Sequence, residues 1–127
     1  MMNYPDNLKY TREHEWLRVE GGEAVIGITG FAQKELGDIV YIDIDTEGET
    51  LVAGEKFGAV EAVKTVSDLY MPVGGKVLAI NTVLENSPET VNKDPYGEGW
   101  MIRIQLTNPK DVDGLMSAAE YRLAIDN

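Results

Sequence analysis

The chain has 127 residues, 43% of them hydrophobic, which suits one globular domain able to bury a real core. Its 22 acidic and 11 basic residues leave a formal charge of −11, and such a chain repels nucleic-acid backbones and anionic lipid headgroups. With no cysteine and one histidine, disulfide scaffolding, thiol catalysis, cysteine-ligated zinc or iron–sulfur centres and histidine metal clusters are all excluded.

The opening Met1-Met2-Asn3-Tyr4-Pro5 has neither a basic leader nor an Arg/Ser-rich presequence, and the longest uncharged run, residues 24–33, is too short to cross a bilayer. Residues 16–20 and 23–28 flank Gly21-Gly22, a two-residue connection that predicts a tight hairpin. Residues 29–36 predict two helical turns closed by Gly37 in the left-handed position. Val40, Ile42 and Ile44 alternate with Tyr41, Asp43 and Asp45, the period of a half-buried strand. Residues 76–81 and 101–105 alternate in the same way over shorter lengths. Ser87-Pro88-Glu89 predicts a single helical turn, and Asn108-Pro109 another before Gly114. Ser117 and Glu120 form a capping box that opens a helix over residues 118–125, with an apolar stripe from Leu115, Met116, Tyr121 and Ile125. Short strands punctuated by glycine predict a mostly β fold, an antiparallel sandwich or barrel, with short peripheral helices and a C-terminal helix outside. No linker or repeat divides residues 1–127.

Three groups of residues are candidates for chemistry. Between Glu35 and Glu55 lie only acidic charges, and Asp43, Asp45, Glu47 and Gly48 imitate the start of a calcium loop. The imitation fails because Glu47 stands where Asp or Asn belongs and Gly54 stands where the bidentate carboxylate belongs. A solvated strand face running into a turn is the better reading. Glu13-His14-Glu15-Trp16 sets an imidazole among carboxylates, but no nucleophile motif accompanies it, so His14 is expected to order a loop or position a ligand. Lys64 is the only base between Lys56 and Lys76, with β-branched Val63, Thr65 and Val66 beside it. It is open to three uses: a solvated surface group, a Schiff-base lysine in a dry pocket, or an attachment point whose amine carries another molecule's chemistry.

A longer set of motifs points further. In order they are Tyr10, His14-Glu15-Trp16, Ile26-Gly27-Ile28-Thr29, Ala32-Gln33, Leu36-Gly37-Asp38-Ile39-Val40, Phe57-Gly58-Ala59-Val60-Glu61-Ala62-Val63-Lys64, Ser67-Asp68 and Pro72-Val73-Gly74-Gly75. Asn92, Asp94-Pro95-Tyr96-Gly97-Glu98-Gly99-Trp100 and Glu120-Tyr121 complete it. Together, in this order and spacing, they resemble the H proteins of the glycine cleavage system, a family of lipoyl carriers. The resemblance covers nearly the whole chain. It implies a lipoyl/biotinyl-type antiparallel β-sandwich (a barrel-sandwich hybrid), its core over residues 23–105 and its C-terminal helix over 117–125. It makes residues 57–63 and 68–73 strands and puts Lys64 at the tip between them, carrying lipoate in amide linkage. Glu61 then matches the E-x-x-K spacing read during lipoylation, and Gly75 the turn glycine of lipoyl domains.

The resemblance also implies a non-catalytic carrier of the aminomethyl group of glycine. Its expected partners are a pyridoxal-phosphate-dependent glycine decarboxylase, a tetrahydrofolate-dependent aminomethyltransferase, dihydrolipoamide dehydrogenase, and a lipoate ligase or lipoyl/octanoyl transferase. Glu15 and Asp68 match positions of a cleft that shelters the loaded arm, while Glu13 and Glu35 depart from the family pattern there. Biotin carriers flank their lysine with Met, and Val63 and Thr65 argue against that branch. A lipoyl-relay protein that donates lipoate to 2-oxoacid dehydrogenases is the alternative function. A monomer in a bacterial cytoplasm, rather than a mitochondrial matrix, is the expected setting, without nucleic-acid, membrane or metal partners.

Overall fold

The computed structural model describes residues 3–125. Its strands are β1 (Lys9–Tyr10), β2 (Glu15–Glu20), β3 (Glu23–Ile28), β4 (Ile39–Asp43), β5 (Thr50–Leu51), β6 (Lys56–Ala62), β7 (Val66–Tyr70), β8 (Gly75–Ile80) and β9 (Ile102–Leu106). All pair antiparallel, in a six-stranded sheet of order β1-β2-β3-β9-β8-β5 and a three-stranded sheet of order β4-β6-β7. The helices are α1 (Gly30–Leu36), α2 (Val83–Asn86), α3 (Thr90–Lys93) and α4 (Ala118–Ile125), with a 3-10 turn over Pro109–Gly114. The sheets stack as a sandwich and do not close into a barrel. Leu17, Ile26, Val77 and Ile104 of the large sheet meet Phe57, Val60 and Leu69 of the small one in a single core.

The local signals translate directly into these elements. Glu20 pairs with Glu23 across Gly21-Gly22, so the hairpin turn has two residues, and Gly21 takes the positive φ (67°) it needs. Thr29 caps α1 by accepting the Ala32 N–H at 3.2 Å. Ser117 and Glu120 satisfy each other's backbone N–H groups at 2.8 and 3.2 Å, the reciprocal pattern of the capping box.

Three expectations shift. Alternation puts Val40 on one face with Ile42 and Ile44, but a bulge between Ile39 and Tyr41 turns it out to 48% exposure. Helical turns form on both sides of Pro88, in α2 and α3, and Ser87 ends the first of them without capping the second. The strand expected over residues 68–73 lies at Val66–Tyr70: Met71 N–H still reaches Glu55 C=O at 2.8 Å, but the Glu55 N–H is turned to Val52 C=O at 3.1 Å, so the facing segment ends the pairing.

A second, aromatic core covers the far face of the large sheet, where Tyr4, Tyr10, Trp16 and Tyr121 are buried together with Leu8, Val25 and Ala118. Tyr10 and Tyr121 stack at 4.9 Å, and Tyr4 meets Tyr121 edge-on at 5.3 Å, so α4 is bound to the N-terminal segment through its rings. Trp16 lies over Gly27 with its indole N–H held by Pro95 C=O at 2.9 Å. A Cβ at Gly27 would come within 2.7 Å of that fixed ring. Gly27→Ala is therefore expected to cost about 1–3 kcal/mol by overpacking, read as a lower midpoint in urea unfolding followed by tryptophan fluorescence.

Candidate functional site

Lys64 sits exposed at the tip between β6 and β7, and among the described residues its amine makes no ion pair. Ala62 N–H donates to Thr65 C=O at 2.8 Å, leaving Val63 and Lys64 as the two turn residues. Favoured two-residue hairpin turns need positive φ, and neither residue has it. Support comes from outside the hairpin: Val63 N–H donates to Asp38 C=O at 3.0 Å.

Asp38 belongs to a short stretch that is itself clamped. Asn92, on α3, accepts the Ile39 N–H at 3.0 Å through Oδ1, while its Nδ2 donates to Gly37 C=O at 2.9 Å and Gln33 Oε1 at 3.0 Å. Gly37 has φ 80° and ψ −153°, so the predicted positive φ is present. The ψ lies outside the left-handed helical well, in a region essentially reserved for glycine. The stem of Lys64 passes over it, with Cε 3.6 Å from where a Cβ would stand. Motif spacing gave no sign of Asn92 as a clamp or of Asp38 as the tether.

Beside the tip, α1 and β7 enclose a cleft of about 280 Å³. Its apolar wall includes Ile28, Phe31, Leu36 and Leu69, and its polar residues are Glu13, His14, Glu35, Ser67 and Asp68. An apolar floor with carboxylates suits a methylene chain ending in a cation. Asp68 also pairs with Lys56 at 3.2 Å, an exposed contact of small energetic weight.

Glu15 does not join Asp68 in this cleft, contrary to the expectation. It lines a different cavity, of about 530 Å³, with Thr11, Tyr70 and Met71, and only Glu13 borders both. The reason is local. β2 turns the Glu15 side chain inward to 2% exposure, where Oε2 accepts the Tyr70 N–H at 2.8 Å and Oε1 the Thr11 hydroxyl at 3.3 Å. Burial outweighs these two bonds and pushes its pKa up to about 8.

His14 is held at φ 67°, uncommon for a residue with a side chain. Burial lowers its pKa against the raising effect of Glu13 and Glu35. Glu61 is exposed on the outer face of β6, where the register sets it between Tyr41 and Val66. Val63 (76% exposed) and Val66 (63%) flank the lysine with bare apolar surface. The calcium-like residues stay a strand end and turn, and among the described residues no three His, Cys, Asp or Glu side chains converge as a metal site.

A two-sheet antiparallel sandwich with one lysine lifted on a hairpin tip defines the lipoyl-type class of domain. Residues 8–127 match the family model described as Glycine cleavage H-protein. The chain is 61% identical over 120 residues to the glycine cleavage system H protein of Salinibacter ruber, covering 94% of this chain and 97% of that one. Its identity to that of Bacteroides fragilis is 57% over 125 residues, 98% and 99% of the two chains. The crystal structure of a glycine cleavage system H protein from Mycobacterium marinum superposes with a TM-score of 0.89 at 38% identity, over 98% of this chain and 100% of that one. The chain belongs to the glycine cleavage H-protein family.

Two predictions follow from the geometry. Replacing Asn92 with Ala removes three hydrogen bonds, and the tip is expected to loosen, with faster amide exchange at Val63 and a stability loss of about 1–3 kcal/mol. The second concerns Glu15. Below pH 4.5 it is protonated in both folded and unfolded chains. From there to about pH 8 the unfolded chain releases its proton and the folded one keeps it. Its contribution to stability is therefore lost as pH rises through that window and levels off above it. Glu15→Gln should flatten this part of the stability–pH curve, measured by urea unfolding at each pH.

Proposed function

We propose that this protein is a non-catalytic carrier whose Lys64 bears lipoate in amide linkage and presents it to the enzymes of glycine cleavage. The observation that carries the reading is the solvent-exposed, unpaired lysine on a tip tethered from outside its own hairpin. A fixed base under a free amine gives a long arm a defined origin, which shortens the search for a partner's active site. The absent cysteine is consistent with it, since the sulfur chemistry arrives with the cofactor and no local thiolate competes by exchange.

When bound, lipoate supplies a disulfide that is reduced as it accepts the aminomethyl group. The chain's own residues position and shelter. Glu61 is the recognition residue for the attaching ligase or transferase, exposed three positions before the lysine on the same hairpin. Asp68, with Glu13 and Glu35, offers carboxylates to the ammonium of a loaded arm, over the apolar floor of the α1–β7 cleft. Glu15 supports that cleft from behind by holding the Tyr70 end of β7. Glycine decarboxylase delivers the aminomethyl group, the aminomethyltransferase removes it, and dihydrolipoamide dehydrogenase reoxidises the arm. The H proteins it resembles in Salinibacter ruber and Bacteroides fragilis are bacterial, and we assign the protein to the cytoplasm of a bacterium.

Incubation with a lipoate ligase, ATP and lipoate should add one lipoyl group, and peptide mapping should find it on Lys64. Lys64→Arg keeps the charge and the fold but should abolish both the adduct and glycine cleavage in a reconstituted system. An adduct on Lys56 or Lys76 would overturn the assignment.

A further inference from the structure

His14, Thr29 and Tyr121 form a closed ring that joins α4 to the cleft. Thr29 N–H donates to His14 C=O at 3.0 Å, the Thr29 hydroxyl lies 2.8 Å from Tyr121 Oη, and Tyr121 Oη lies 2.9 Å from His14 Nδ1. Two of its members reach the cleft: His14 lines it, and Thr29 caps α1, which supplies Phe31, Ala32, Glu35 and Leu36 to its wall.

The hydrogens in this ring have one satisfied arrangement. Thr29 is fully buried, and its Oγ1 already accepts the Ala32 N–H. Among the described residues, its hydroxyl hydrogen has Tyr121 Oη as its one acceptor. Tyr121 must then pass its own hydrogen to His14 Nδ1, so the imidazole is neutral and carries its proton on Nε2. A protonated His14 would point Nδ1–H at Tyr121, reverse the chain and strand the Thr29 hydroxyl without an acceptor in the interior.

We propose that Tyr121 is a positioning residue for the cleft, its hydroxyl fixing His14 as an uncharged wall so that the surrounding carboxylates keep their full field for a bound cation. The charged groups acting on His14 are Glu13 from its own segment and Glu35 from α1, both of which favour an imidazolium, while Asp68 of β7 lines the same cleft and pairs with Lys56. An imidazolium there would repel the ammonium that the same acids attract. The hydroxyl ring opposes that, so α4, remote from the lysine in sequence, sets the charge of the arm's shelter. This rests on the reading of the cleft as the place where a loaded arm folds back.

The test uses Tyr121→Phe, which keeps the ring stacked on Tyr10 and removes only the hydroxyl. His14 is the sole histidine, so its ring nitrogens are assignable by long-range ¹H–¹⁵N spectroscopy on the unlipoylated protein. The wild type should show the Nε2–H tautomer at neutral pH. The variant should show mixed tautomers and a titration midpoint moved up toward the ordinary imidazole range. Thr29→Ser retains both the cap and the hydroxyl donor and should behave as wild type. An Nδ1–H tautomer in the wild type, or an unchanged spectrum and titration in Tyr121→Phe, would overturn the proposal. Spontaneous amine release from the aminomethyl-loaded protein should be severalfold faster in the variant near neutral pH. Altered spectra with unchanged release in Tyr121→Phe would refute the role of His14 in the cleft, whereas unchanged release in Asp68→Asn as well would refute the folding-back of the arm on which it rests.

Discussion

The hydrogen bond from Val63 N–H to Asp38 C=O holds up the business end of the molecule. A two-residue turn without glycine does not match the twist of the strands that it joins, so the tip is supported from outside. The support passes from Asp38 to its neighbours Gly37 and Ile39, and from these to the side chain of Asn92. Each link uses backbone groups that the chain must satisfy anyway where α1 ends and β4 begins. The cost of ordering the tip is thereby spread over α1, α3 and β4, so Lys64 can remain exposed without its hairpin fraying.

How much of this was legible in the sequence follows from the range of the forces involved. The Gly21-Gly22 hairpin and the Ser117–Glu120 box depend on residues within four positions of one another, and both were readable, whereas the capping role of Thr29 was not. The outward turn of Val40 was not, because alternation assigns faces only while the ladder is regular, and the bulge depends on β6. The site divides in the same way. Lys64 was one base among apolar neighbours with three possible uses until the motif order of a known family narrowed them. Glu15 and Asp68 were joined by resemblance alone, and backbone direction separates them into two cavities. Asn92 and Tyr121 act on residues 55 and 107 positions away, for which spacing holds no information.

The carboxylates around the hairpin illustrate how environment divides one chemical group into two kinds. Glu15 is buried, bonded on both oxygens, and holds its proton to about pH 8, so it acts as a neutral structural acid. Glu13, Glu35 and Asp68 line an open cleft and can answer to a cation. A net charge of −11 therefore says little by itself, since what matters is which acids face an open cleft and which are enclosed.

The capture of the Tyr70 N–H by Glu15 also bears on the sheet's borders. A three-stranded sheet has two edges, and a free edge invites a strand from another chain. On one side β4 bulges at Val40, which breaks the regular row of donors and acceptors. On the other, the last residue of β7 has its N–H taken by a buried side chain instead of being offered to solvent. The same small sheet shows bare Val66 and Tyr41, with Val63 beside them at its tip, the combination that elsewhere seeds self-association. With its margins interrupted, this sheet presents an apolar face to its surroundings beside edges that leave a neighbouring copy a shorter row of backbone partners.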